Sequence, residues 1–255
     1  TLVQYRVYAF DNAGNWAAVD IYSYSTTDRF LPVAMIVAPT DGSHLSGCVN
    51  VEVFVHDDNL YEAMLKANGT LTDSWNETGP HTYTWNTTIV NDGLYILALE
   101  TCDQAGNTAE HTVYVTVDNT LPTVGIQWPL NGSYVKGIVS VEVSAEDANF
   151  EEMELTIDDH VQVWEVCGNQ AYTWNTSDCD DGLYAIALTA RDKAGNAAET
   201  SLLVTVDNTA PVINNFTWTP SEPVANETVN ASVQIFEEGS GIKNVTLWFK
   251  VDDGE

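Results

Sequence analysis

GLYAIALTARDKAGNAAETSLLVTVD, residues 182–207, decides the fold. Tyr184, Ile186, Leu188 and Ala190 recur at every second position, the period of a strand with one face turned to a core. The alternation stops at Asp192-Lys193-Ala194-Gly195-Asn196, and a second strand leaves through SLLVTVD. Strands joined by so short a turn pair antiparallel.

The text around this stretch occurs twice. LPVAMIVAPTDG (31–42) returns as LPTVGIQWPLNG (121–132), and HTYTWNTTIVNDGLYILAL (81–99) returns as QAYTWNTSDCDDGLYAIAL (170–188). CDQAGNTAEHTVYVTVDNTLP (102–122) returns as RDKAGNAAETSLLVTVDNTAP (191–211). The offset is 90 residues early in the unit and 89 later, so one residue drops out around positions 70–75. Within a unit, VSVEVSAED (139–147) sets Val139, Val141, Val143 and Ala145 on one face. About seven such strands per unit, and no helical stripe longer than two turns, predict an all-β chain of tandem immunoglobulin-like antiparallel β-sandwiches.

Whole sandwiches are expected over 30–119 and 120–208. Residues 1–29 repeat the C-terminal, closing half of a domain, with the Asp11-Asn12-Ala13-Gly14-Asn15 turn and with Asp28 and Pro32 matching Asp118 and Pro122. Residues 209–255 repeat an N-terminal, opening half that runs to the Asp252-Asp253-Gly254 turn. A half-sandwich alone leaves edges unpaired and a core face bare. Each half is therefore expected to be completed by residues of the same longer chain or by strand complementation from a neighbouring subunit.

Charge narrows the partners. Eight Lys and Arg face 37 Asp and Glu, a formal charge of −29, which repels nucleic acid and anionic membranes. No apolar run approaches the roughly 18 residues of a spanning helix, so this segment inserts into no membrane directly. Such acidity suits a salty exterior, or the binding of cations. Nine N-x-S/T triplets, at Asn68, Asn76, Asn86, Asn131, Asn175, Asn215, Asn226, Asn230 and Asn244, mark candidate N-linked glycan sites. Four Cys occur without any C-x-x-C. Together these features predict an extracellular, cell-surface glycoprotein in a disulfide-permissive setting.

The units resemble the Ig-like repeats of bacterial and archaeal surface and secreted proteins. The resemblance rests on the W-x-T, D-G-x-Y, D-x-A-G-N and V-x-V-D-N-T-x-P series, which residues 121–211 fit at nearly every position. Residues 31–120 fit with Cys48 and His56 as departures. The terminal halves look like a sister type, in which V-x-Y-x-V-x-A-x-D-x-A-G-N follows an S-G-I-x-x-V-x-L strand. The resemblance implies a rigid rod of sandwiches outside the cell with no chemistry of its own.

The expected function is therefore a structural segment of an extracellular filament, stalk or surface layer. It would self-associate into a fibre or array, or continue a longer repeat chain. Alternatives are a non-catalytic accessory region of a secreted hydrolase and an adhesin that binds a glycan or protein. No catalytic constellation is present. His44, His56, His81, His111 and His160 are scattered, with no HExxH or GxSxG, and an exposed loop accounts for the His56–Asp57 pair. Trp75/Trp164 and Trp85/Trp174 recur at matching positions, which favours packing over a sugar platform; Trp16, Trp128 and Trp218 are less constrained.

A sandwich of this type gathers its incoming linker, its strand 2–3 loop and its strand 6–7 turn at one pole. That collects Asp28, Asp57, Asp58 and Asp103 at the first junction. Asp118, Glu146, Asp147 and Asp192 fall at the second, and Asp207, Glu237 and Glu238 at the third. Such acids suit Ca²⁺, which takes six to eight oxygens, and the linkers also resemble those of cadherins. Equally, the Asp of D-x-A-G-N can cap its own turn while the Gly takes positive φ. Economy pairs Cys48 with Cys102 and Cys167 with Cys179, yet a standard sandwich places Cys48 and Cys102 at opposite poles. Either the topology departs from standard or some Cys bridge domains or subunits.

Overall fold

The structure, a computed structural model, describes residues 2–25 and 28–248; the expected Asp252-Asp253-Gly254 turn lies outside them. It divides into two units, 1–119 and 120–255.

The first unit opens with β1 (Leu2–Tyr5), β2 (Tyr8–Phe10), β3 (Trp16–Ala18) and β4 (Tyr22–Ser25). Among the described residues β1 pairs with β4, and β2 pairs with β3 around the Asp11–Asn15 turn. A sandwich follows. Its strands are β5 (Val33–Ala38), β6 (His44–Leu45), β7 (Cys48–His56), β8 (Leu60–Ala67), β9 (Thr70–Trp75), β10 (Gly79–Asn86), β11 (Gly93–Asp103) and β12 (Thr108–Val117). They form a three-stranded sheet, β10-β7-β5, facing a five-stranded sheet, β6-β12-β11-β8-β9. Alternation does the sorting: Val51, Val53 and Val55 from one sheet meet Leu65, Leu97 and Leu99 from the other, all buried.

The second unit repeats this order with β13 (Thr123–Trp128), β14 (Tyr134–Val135), β15 (Ile138–Glu146), β16 (Phe150–Ile157), β17 (His160–Trp164), β18 (Gly168–Asn175), β19 (Gly182–Asp192) and β20 (Ala197–Val206). The sheets are β13-β15-β18 and β14-β20-β19-β16-β17. Val139, Val141, Val143 and Ala145 are buried as the alternation predicts, and so are Ile186, Leu188 and Ala190. Beyond them, β21 (Val212–Thr219) and β22 (Asn230–Phe236) form a two-stranded sheet. In each repeat the short strand after the first turn joins the last strand in parallel: His44 and Leu45 lie beside Thr116 and Val117, and Tyr134 and Val135 beside Thr205 and Val206.

The chain is all-β. Among the described residues the only helical elements are single 3₁₀ turns at Thr87–Ile89 and Thr176–Asp178. Among the described residues no helix is long and apolar enough to cross a membrane. Trp85 and Trp174 lie in the cores, each edge-on to a tyrosine, Tyr95 at 5.4 Å and Tyr184 at 5.5 Å. Trp75 and Trp164 pack at the core margins, while Trp16, Trp128 and Trp218 are exposed.

The economical cysteine pairing is not formed; all four thiols are free. Cys48 starts β7, whereas Cys102 is the penultimate residue of β11, beside the loop that follows the far end of β7. β18 separates Cys167 from Cys179, and an eight-residue strand spans roughly 26 Å at the usual rise, far beyond disulfide reach. The topology is the standard one, and that is why the pairs stand apart.

A polar plug ends each sandwich. Asn119 Oδ1 accepts from Gly47 N (3.0 Å) and Thr87 Oγ1 (3.1 Å), while its Nδ2 donates to the Thr87 carbonyl (3.1 Å). Its backbone N–H donates to Asp92 Oδ1. Asn208 makes the same set with Gly137, Thr176 and Asp181. The Asn of V-x-V-D-N-T thus looks back into its own domain, and Thr87 and Thr176 are buried to receive it.

Candidate metal centre

The site builds from the turn between β11 and β12. Asp103 Oδ1 accepts the backbone N–H groups of Ala105 (2.9 Å) and Asn107 (2.7 Å), and Asn107 Nδ2 donates to Oδ2 (2.7 Å). Gly106 takes φ +88°, which closes the turn. Burial pushes the Asp103 carboxyl up, the largest single influence. The Asn107 amide and the backbone N–H groups of Asn107, Ala105 and Gly106 together outweigh it, so the group stays below the ordinary carboxylate range. The same turn recurs at Asp11, lowered first by the Asn15 side chain, and in the hydrogen bonds of Asp192. Turn capping, one of the two readings of D-x-A-G-N, is therefore real in all three copies.

Capping does not exhaust the site. The loop after β7 runs against this turn through Gln104 N to the Asn59 carbonyl, 2.9 Å. Asp57 Oδ1 accepts from Asn59 N at 2.7 Å. The linker supplies Asp28, whose Oδ1 accepts from Phe30 N (3.0 Å) and whose Oδ2 accepts from Asn59 Nδ2 (3.1 Å). Asn107 Nδ2 reaches the Asp28 carbonyl as well, at 3.2 Å. Carboxylate oxygens of Asp28, Asp57 and Asp103 consequently lie within 4.8 Å of one another, with Asp57 8% and Asp103 2% exposed. Three acids this close repel one another and are partly cut off from water. With the nearby carbonyls they offer hard oxygen ligands of the kind Ca²⁺ takes, so the residues fit that ion.

Asp58 is exposed and stands outside the group. In the second unit Asp147 and Asp192 present oxygens within 4.8 Å of each other, and Asp147 accepts from Asn149 N as Asp57 does from Asn59. Lys193 N donates to the Asn149 carbonyl in the place of Gln104. Glu146 is exposed on the outer face of β15. Asp118, the repeat equivalent of Asp28, is buried and its backbone N–H donates to the Leu45 carbonyl.

The third set differs. Asp207 is buried, but among the described residues no group of three acids gathers around it. Its Oδ2 accepts Ser240 N at 2.6 Å, and Glu237 Oε1 turns to Gly239 N instead. Glu238 is exposed. Ser240, first, and the charge of Lys136 hold the Asp207 carboxyl below its ordinary range against burial. A cleft of about 590 Å³ beside it is lined by Lys136, Glu237 and Lys243 as well.

Of the nine sequon asparagines, eight are exposed and Asn86 is half-buried. Asn86 and Asn175 accept the N–H two residues on, from Thr88 and Ser177. Sequence reasoning missed Asn59, Asn107 and the Asn119/Asn208 plug. Their signal was recurrence, since each but Asn208 has its counterpart 89 or 90 residues on, and Asn208 is itself such a counterpart.

The fold and its repeats define tandem Ig-like domains, and three bacterial Ig-like families match in succession. Residues 32–115 match the Bacterial Ig domain, 79–159 the Bacterial Ig-like domain (group 3) and 140–208 the Bacterial Ig-like domain. No curated protein matches the chain. Among solved structures, the fibronectin(III)-like modules of Clostridium thermocellum CbhA are similar at 18% identity and a TM-score of 0.46, over 68% of this chain and 94% of that one. A tetra-tandem repeat in the extending region of a large adhesion protein is 15% identical with a TM-score of 0.34, over 92% of this chain and 70% of that one. The endo-beta-1,4-mannanase from Thermotoga petrophila is 18% identical with a TM-score of 0.33, over 42% of this chain and 29% of that one.

Proposed function

We propose that this chain is a structural segment of an extracellular filament, stalk or surface layer, with Ca²⁺ stiffening its linkers and N-linked glycans on its exposed asparagines. The observation that carries the reading is the meeting of Asp28, Asp57 and Asp103 from a linker, a loop and a turn. A divalent cation there ties the linker to the pole of the following sandwich and relieves three-way repulsion. The −29 charge supports the same reading, since it draws cations to the surface.

Calorimetry of the whole chain in Ca²⁺ and in EDTA tests the ion. A rise in melting temperature with Ca²⁺ that Asp57→Asn abolishes is expected; identical melting in both buffers overturns the ion. Protease shaving of intact cells tests location, because a surface segment is released while cytoplasmic markers stay inside. Mass mapping of the nine sequon peptides tests the glycans.

A further inference from the structure

The two complete repeats share a fold and differ in what surrounds one recurring tryptophan. Trp75 and Trp164 stand at matching positions, and both pack at the core margins. Near Trp75 the first repeat has Tyr61, Asn76 and His81; at the same positions the second has Glu151, Glu165 and Gln170. Packing accounts for the tryptophans, which recur. It does not account for the three residues that change together, one of them the Asn of the sequon Asn76-Glu77-Thr78.

The fold brings this set to one place. Tyr61 falls where the pairing of β8 with β11 slips, between Leu60 opposite Asp103 and Glu62 opposite Cys102. The extra residue of such a bulge leaves the ordinary alternation and is re-aimed, and Tyr61 is 64% exposed. With Glu62, Ser74, Trp75 and Asn76 it lines a cleft of about 460 Å³. His81 from β10 stacks on the Trp75 indole, with ring centroids 5.0 Å apart and planes 16° from parallel. Its Nε2 donates to the Glu77 carbonyl at 2.8 Å, which ties the middle of the sequon down beside the cleft. Asn76 itself is exposed. Two aromatic side chains, a carboxylate and a hydroxyl suit a pyranose. Its C–H bonds carry partial positive charge and favour the faces of aromatic rings, while its hydroxyls donate to a carboxylate. Aromatic walls with a few polar groups are the usual make-up of a small-ligand cleft.

We propose that this cleft seats the first pyranose of a glycan carried on Asn76, so that the sugar is held by the domain that bears it. The occupant follows from attachment: Asn76 is itself part of the cleft wall, and a sugar on its Nδ2 starts at the rim. Covalent tethering supplies the high effective concentration that lets a shallow site fill. In the second repeat the sequon and the tyrosine are absent together, as expected if one serves the other. The inference rests on the glycan reading of the exposed asparagines and deepens it at one site.

The test compares the whole chain, purified from its own cells, with Thr78→Ala, which deletes the sequon and leaves every cleft residue in place. Mass mapping of the Asn76 peptide comes first; an unmodified Asn76 overturns the proposal together with the glycan reading at that site. With the sugar present, Thr78→Ala should lower the melting temperature of the first unit by about 4 °C. It should also raise hydroxyl-radical labelling of Tyr61 and Trp75 severalfold and leave Trp164 unchanged. In a Tyr61→Ser background, where the sugar stays but one wall is gone, Thr78→Ala should shift melting far less. A melting shift of the same size in both backgrounds, or labelling that does not change, overturns the seat while the glycan stands, so the two failures are told apart. Circular dichroism verifies the fold of each variant. The labelling of Trp75 alters no cleft residue, so it decides even where Tyr61→Ser misfolds.

Discussion

Asp28 and Asp207 hold the same place in two copies of one linker, yet they meet different partners. Around Asp28 stand Asp57 and Asp103, which add to its charge. Around Asp207 stand the Ser240 N–H and, along the cleft, Lys136 and Lys243. The loop after the second strand makes the difference: Asp57-Asp58-Asn59 in one case, Glu237-Glu238-Gly239-Ser240 in the other. A Cβ at Gly239 would sit 2.5 Å from the Asp207 carboxylate, so glycine alone lets the loop come close enough for Ser240 to donate. The linker acid is thus a common handle. The loop it meets decides whether that handle calls for a cation or is satisfied by the chain itself.

That comparison is sharpest if everything beneath the linkers is alike, and four experiments probe it. Leu99→Ala and Leu188→Ala remove equivalent buried side chains and should each cost about 2–5 kcal/mol in denaturant titrations. Clearly unequal losses would trace the contrast to the cores. Next comes the ion: at a hundredfold excess over its dissociation constant, Ca²⁺ should stabilise the first linker's domain by about 2.7 kcal/mol. Asp57→Asn should erase that gain in calorimetry, whereas Glu237→Gln should leave it intact. A smaller effect is expected at the plugs, where Asn119→Ala and Asn208→Ala strand buried threonine groups at a cost of about 1–3 kcal/mol each.

Acid gives the gentlest test. Asp103 and Asp207 are both held below the ordinary carboxylate range when folded. Their contribution is present above the unfolded value, about 3.9, and is lost as pH falls through the lower folded one. Melting should therefore hold steady down to roughly pH 4 and decline below it. Asp103→Asn should flatten the part of that decline belonging to the first unit.

Most of the fold was legible because alternation reports burial directly. Val139, Val141, Val143 and Ala145 were readable as one face and lie in one core. The same alternation, carried one step past the strand end, selects Asp57 over Asp58, Asp147 over Glu146 and Glu237 over Glu238. Reading the acids as a pool hid that phase. The Asn119 and Asn208 plugs were less readable, because their partners lie 27 to 72 residues away and depend on how the sheets close. At the third linker the local backbone adds what counting acids leaves out: the Ser240 N–H donates to Asp207.

The parallel pairing of β6 with β12 has a mechanical consequence. The chain enters a repeat through β5, which pairs antiparallel with β7, then forms β6; it leaves from the end of β12, and β6 and β12 run side by side in one direction. Once β5 is peeled from β7, tension on the two linkers drags β6 and β12 in opposite senses along their shared ladder. Their hydrogen bonds, with those of the Asn119 plug, are then loaded together in shear, and the domain must rupture several at once where a hairpin would unzip one by one.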